Sequence, residues 1–135
     1  MAELNLEIVT PDKSIFNEVI ESVTIPGTLG SFQILINHAP LISTFDLGVV
    51  TVKSGDEPTY FSTSGGTVEV NNNKVLVLAD SIEPIEQIDI DRAEKAKERA
   101  EERLKRKHEK DVDEVRAAVA LKRAINRINV KEKYI

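Results

Sequence analysis

The feature that most constrains this chain is a change of hydrophobic period near Pro84. Before it, apolar and polar residues alternate, as in Leu4-Asn5-Leu6-Glu7-Ile8, a period of two that buries every second side chain on one face of a strand. After it, Ala93, Ala96, Ala100 and Leu104 recur three or four residues apart in a run rich in Glu, Lys, Arg and Ala, which is the period of an amphipathic helix. The expected organisation is an all-β unit over residues 1–85 and a helical unit over residues 86–135.

Within the first unit, further strand candidates lie at residues 15–20, 21–25, 32–36, 48–52, 59–63, 67–70 and 75–78, separated by turn-forming residues. Strands this short at this spacing pack as a sandwich or flattened barrel. Thr10-Pro11-Asp12-Lys13 reads as a turn, because Pro fixes φ and Asp bonds nearby amides. Asn71, Asn72 and Asn73 tolerate left-handed backbone and are expected to close a hairpin between Val70 and Val75. Gly65-Gly66 reads as a turn or bulge in preference to an anion-binding nest.

In the second unit, the apolar stripe ends at His108-Glu109-Lys110-Asp111, and Asp111-Val112-Asp113-Glu114 has the look of an acidic N-cap with a Glu three residues on. A second helix follows, with Ala117, Leu121, Ala124 and Ile128 on its apolar face. So short a connection makes the two helices antiparallel neighbours, an αα-hairpin. Its faces are mostly alanine, and at about 25 cal/mol per Å² a buried methyl contributes far less than a buried Leu or Ile. Isolated helices of this length are marginal in water, so a hairpin that opens or rearranges is expected.

Length and composition exclude much else. A chain of 135 residues has no room for two large cores, and no run approaches the roughly 20 apolar residues that span a bilayer. The acidic start Met-Ala-Glu-Leu-Asn-Leu-Glu lacks the basic and apolar regions of an export signal. There is no cysteine, and the two histidines, His38 and His108, have no companion at metal-ligand spacing. No phosphate-binding P-loop and no nucleophile with its base is present, so the chain is not expected to be an enzyme by itself. Charge divides with the period: residues 1–87 hold 3 Lys/Arg against 12 Asp/Glu, and residues 88–135 hold 15 against 11. Such a split suits two segments with different partners, or simply a solvated helical surface. Nucleic acid is disfavoured, because the basic helices carry no interleaved aromatics.

Three blocks then resemble one known family. They are Pro26-Gly27-Thr28-Leu29-Gly30-Ser31-Phe32-Gln33-Ile34-Leu35-Ile36-Asn37-His38-Ala39-Pro40-Leu41-Ile42; Ser64-Gly65-Gly66-Thr67-Val68-Glu69-Val70 with Val75-Leu76-Val77-Leu78-Ala79-Asp80; and Ile88-Asp89-Ile90-Asp91-Arg92-Ala93, completed by Lys122-Arg123-Ala124-Ile125-Asn126-Arg127. Together they resemble the epsilon subunit of bacterial and chloroplast F-type ATP synthases. The resemblance implies a sandwich that attaches to the gamma subunit and rests on the c ring, with the turn that contains Gly30, Ser31 and His38 facing those partners. A buried His38 that holds its loop by hydrogen bonds is the competing reading.

The family's C-terminal hairpin inhibits ATP hydrolysis when extended between the alpha and beta catalytic subunits and releases it when folded. In some relatives ATP holds the folded form as a regulatory ligand, no cofactor being required. The matching positions here are Glu83, Ile88, Asp89, Arg92, Ala93, Arg99, Arg123 and Arg127. Asp89 either accepts from the adenine amino group or caps the first helix. The implied location is peripheral, on the cytoplasmic face of a bacterial plasma membrane or the stromal face of a thylakoid. Two other classes compete: an autonomous nucleotide-binding module with no affinity for gamma, and an adaptor whose arginines bind a protein partner without nucleotide. Either way, amides in residues 90–130 are expected to exchange with solvent faster than those of the β core, which hydrogen-exchange mass spectrometry reads directly; equal protection would contradict a loosely held hairpin.

Overall fold

The computed structural model describes residues 2–109 and 112–134. It divides into two compact units, Met1–Pro84 and Ile85–Ile135.

In the first unit the period of two is realised directly. Along β1 (Leu4–Val9), Leu4, Leu6 and Ile8 are buried while the residues between them are partly exposed. Six more strands follow: β2 (Ser14–Ile20), β3 (Ser22–Ile25), β4 (Phe32–Leu35), β5 (Leu41–Lys53), β6 (Pro58–Asn71) and β7 (Lys74–Pro84). They hydrogen-bond in the order β2-β1-β7-β6-β5-β3-β4, with β1 and β7 parallel and the other pairs antiparallel. One core cluster nonetheless joins Leu4, Leu6 and Ile8, near one end of that order, to Val23, Ile25 and Ile34 at the other. The sheet therefore folds over its own apolar face, and β5, β6 and β7 run through both layers of the expected sandwich. Phe16 of the edge strand β2 meets Phe61 of β6 edge to face, with ring centroids 5.9 Å apart. Where β2 ends, the Glu21 N–H donates to the Lys53 carbonyl at 2.8 Å and Ser54 Oγ to the Val19 carbonyl at 3.3 Å.

The fold-over is made possible at Gly65-Gly66. Here β6 slips register against β7, the bulge alternative of the sequence reading, and a bulge bends its strand. A Cβ on Gly66 would overlap the Leu78 carbonyl, so only glycine admits this approach. The disturbed ladder is repaired by side chains: Thr63 Oγ1 donates to the Ser81 carbonyl at 2.9 Å and accepts from the Gly65 N–H at 3.2 Å, and Ser81 Oγ donates to Ser64 Oγ at 2.7 Å. Because the chain continues through the glycines, the two strands expected at residues 59–63 and 67–70 are one strand, β6. Residues 41–47, not expected as strand, open β5 by pairing with β6 from Leu41↔Val70 to Asp46↔Gly65. Asn72 and Asn73, with φ of 49° and 61°, form the tight β6–β7 turn.

The second unit starts with a 3₁₀ turn, Ile85–Gln87, followed by α1 (Ile90–Lys105) and α2 (Glu114–Tyr134) packed side by side. Ala93 and Ala100 of α1 and Ala117 and Ala124 of α2 are buried, as their spacing predicts. Leu104, Leu121 and Ile128 stay only half-buried, and Val130 is buried instead, where α2 meets the 3₁₀ turn. Helix α2 begins after Asp113, whose Oδ1 accepts from the Arg116 N–H at 3.0 Å; Lys110 and the alternative cap Asp111 lie outside the described residues.

Two glycine substitutions separate close approach from backbone freedom. Gly66→Ala is expected to lower sandwich stability by about 2–3 kcal/mol, because an extra carbon is forced into packed backbone. Gly55→Ala, at φ 100° with nothing within 4 Å of the added carbon, is expected to cost about 1 kcal/mol. Urea unfolding midpoints of the two variants test the order.

Candidate functional site

Seven of the eight residues expected to meet a nucleotide lie in the helical unit, and Glu83 lies in β7 of the other. Ile88 and Ala93 are buried at 5% and 2% exposure, so these positions contribute packing and backbone, not polar contacts. Asp89 is the N-cap of α1: with φ −89° and ψ 105°, its Oδ1 accepts from the Arg92 N–H at 3.1 Å. The capping reading of Asp89 is therefore realised through Oδ1.

The guanidinium groups of Arg92, Arg99 and Arg123 are exposed and have no ion pair or hydrogen bond among the described residues, while Arg127 is half-buried. Arg92 and Arg99 are separated by two turns on α1, and Arg123 and Arg127 by one turn on α2, so each pair shares a helix face. The buried alanines are seven apart on both helices. An antiparallel register that sets Ala93 beside Ala124 also sets Ala100 beside Ala117, and it puts Arg92 level with Ile125, about 3 Å of helix rise from Arg127. Four guanidiniums distributed this way suit an anionic group bound by forked, charge-assisted hydrogen bonds.

Lys131, which sequence reasoning did not single out, fastens this same end of the unit. Its Nζ donates to the Ile85 carbonyl at 3.1 Å and the Glu86 carbonyl at 3.3 Å, satisfying two carbonyls of the 3₁₀ turn and fastening the end of α2 to the segment before α1. The only sequence signal was a basic residue in the last turn of α2.

On the sandwich, Gly30, Ser31 and His38 do not share one turn. Gly30 and Ser31 precede β4 and His38 follows it, with a four-residue strand, about 13 Å of backbone, between them. Gly30 has a φ of 132° and open space around it. The His38 ring is half-buried; its Nδ1–H donates to the Ala39 carbonyl at 2.7 Å. Its neighbour Asn37, at φ 64°, donates its N–H to Asn73 Oδ1 at 2.6 Å and accepts from Asn73 Nδ2 at 3.3 Å, tying the β4–β5 loop to the β6–β7 turn. Around this loop Leu35, Ile36 and Ile42 are exposed, Ile42 to 77%. Exposed apolar side chains on both sides of one loop suit a contact surface. The signal was in the sequence, since Ile34-Leu35-Ile36 and Leu41-Ile42 offer more consecutive apolar residues than one strand face can bury.

Comparison with known proteins decides the family. The ATP synthase delta/epsilon chain beta-sandwich domain matches residues 3–85, and the ATP synthase delta/epsilon chain long alpha-helix domain matches residues 86–132. The chain belongs to the ATP synthase delta/epsilon family. The ATP synthase epsilon chain of Nitratidesulfovibrio vulgaris is 48% identical over 128 residues, 95% of each chain. That of Desulforamulus reducens is 45% identical over 94% of this chain and 96% of its own, and that of Bacillus pumilus 39% identical over 98% and 100%. The fold is also found in the cryo-EM structure of the Euglena gracilis mitochondrial ATP synthase OSCP/F1/c-ring in rotational state 1, with a TM-score of 0.77 at 23% identity over 96% of this chain and 82% of that one. All three of these relatives are named ATP synthase epsilon chain.

Because Asp89 carries the cap of α1, Asp89→Ala is expected to cost about 1 kcal/mol of helix stability. The effect should concentrate in faster amide exchange over the first turn of α1, from Ile90 to Ala93, and leave the β core unchanged; uniform loss of protection would contradict a local capping role.

Proposed function

We propose that this chain is the non-catalytic epsilon subunit of an F-type ATP synthase, with its sandwich attached to the gamma subunit and resting on the c ring to couple their rotation. Its hairpin acts as a brake on ATP hydrolysis by the alpha and beta subunits, and ATP bound at Asp89, Arg92, Arg99, Arg123 and Arg127 holds that brake folded. The observation that supports the rotor role most strongly is the match of both family domains in order, together with 48% identity to an epsilon chain over 95% of each chain. The exposed apolar group at Leu35, Ile36 and Ile42 suits a protein-facing surface. Among the described residues no helix is long and apolar enough to cross a membrane, and the proposed place is peripheral, held at the cytoplasmic face by gamma and the c ring.

The brake reading draws on the small apolar contribution of the alanine faces, which leaves open and closed forms close in free energy. A ligand that prefers one form then shifts the balance by its differential affinity. The four arginines supply the charge for a triphosphate, and α2 presents basic residues to acidic protein surfaces once extended.

Calorimetry of the full chain tests both parts separately. Titration with gamma is expected to give one-to-one binding in the parent and in Arg92→Ala alike, and no heat would overturn the rotor role. Titration with magnesium-free ATP is expected to saturate in the parent and to weaken at least tenfold in Arg92→Ala and in Arg127→Ala, the loss of one charge-assisted contact in each. No ATP heat in the parent would remove the sensor and leave the rotor.

A further inference from the structure

At the closed end of the hairpin a cleft of about 410 Å³ is lined by Arg103, Arg106, Val112, Asp113, Arg116 and Ala117. It lies at the opposite end of α1 from Asp89 and Arg92, so the nucleotide reading above makes no use of it. Three guanidiniums from the end of α1, the connection and the first turn of α2 thus border one concavity. Arg106 is compensated, with Nε 3.8 Å from Glu102 Oε1 and Nη1 3.4 Å from Glu109 Oε2. Arg103 and Arg116 have no ion pair among the described residues. The one lining carboxylate, Asp113, already accepts the Arg116 N–H at 3.0 Å. The uncompensated positive groups of the cleft are therefore the two guanidiniums of Arg103 and Arg116, and the start of α2 adds the positive end of its helix dipole. At roughly 30 Å³ per water molecule, it has room for an oxyanion that keeps part of its hydration.

We propose that this cleft is a second anion site, which takes a phosphate-type oxyanion bridged between Arg103 and Arg116. Both guanidiniums present forks that match phosphate oxygens, a pairing less available to a spherical halide. An anion so placed offsets the repulsion between Arg103 and Arg116 and staples the end of α1 to the start of α2. It binds the closed turn and not the separated helices, so it stabilises the closed form by mass action. Exposure of the arginines keeps the affinity weak.

The test is NMR of the full chain, following the Nε–Hε signals of Arg103 and Arg116 during titration with inorganic phosphate, with sodium chloride reduced in step to hold ionic strength constant. The expected result is saturating shifts at both residues, and affinity weakened about threefold to fivefold in Arg116→Gln and in Arg103→Gln. Amide exchange in residues 100–109 should slow as phosphate is added. A parallel titration with ATP in the Arg92→Ala chain tells a free phosphate ligand from a nucleotide tail: matching shifts there mean that the site accepts either source. Shifts that grow linearly, that chloride alone reproduces, or that survive both substitutions would overturn the proposal and leave a solvated basic turn. Because the readout is at Arg103 and Arg116, failure of the nucleotide reading at Arg92 and Arg127 does not affect it.

Discussion

The sandwich depends on one close approach, that of Gly66 to the backbone of Leu78 and Ala79. Without it β6 would run straight, and the two ends of a seven-stranded sheet would have no reason to meet over one core. With it, β5, β6 and β7 bend and carry their alternating Val and Ile residues through both layers, and Thr63 and Ser81 restore the hydrogen bonds that the bulge removes. The rest of the sandwich follows as a consequence of closure, including the meeting of Phe16 with Phe61 and the asparagine pair that joins two turns.

The helical unit follows a contrary logic. Its faces are alanine, so little apolar area is removed from water for each turn of helix, and its ends rely on polar devices: Asp89 and Asp113 as caps, and Lys131 across the 3₁₀ turn. Exposed hydrogen bonds of this kind contribute about 1 kcal/mol each, and small changes in partner or ligand can offset them. The contrast between a β unit closed around a branched-aliphatic core and a hairpin with alanine faces is the physical basis for proposing attachment for the first and regulation for the second.

Period and turn chemistry made the architecture readable before the structure. Alternation found the buried faces of β1 and β7, alanine spacing found the faces of α1 and α2, and the three asparagines found their turn. What escaped had definite causes. Gly65-Gly66 punctuates a sequence in the same way whether the chain turns or bulges, so one long strand read as two. Residues 41–47 alternate too poorly to declare themselves, because Ile42 is apolar yet faces outward. Val130 and Lys131 acquire their places from the 3₁₀ turn, some 45 residues earlier in the chain, a contact that no local pattern encodes. For the site, the arginine pairs were legible as helix faces, and the placement of Gly30 and His38 at opposite ends of β4 was not, since only the position of a short strand separates them.

The most direct measurement is the ATP hydrolysis rate of a reconstituted catalytic complex carrying either the full chain or one that ends at Gln87, after the β unit with its complete core. The account predicts that both chains bind gamma, that hydrolysis is slower with the full chain, and that the difference narrows as ATP concentration rises. Equal rates at every ATP concentration, with both chains bound, would contradict a regulatory hairpin.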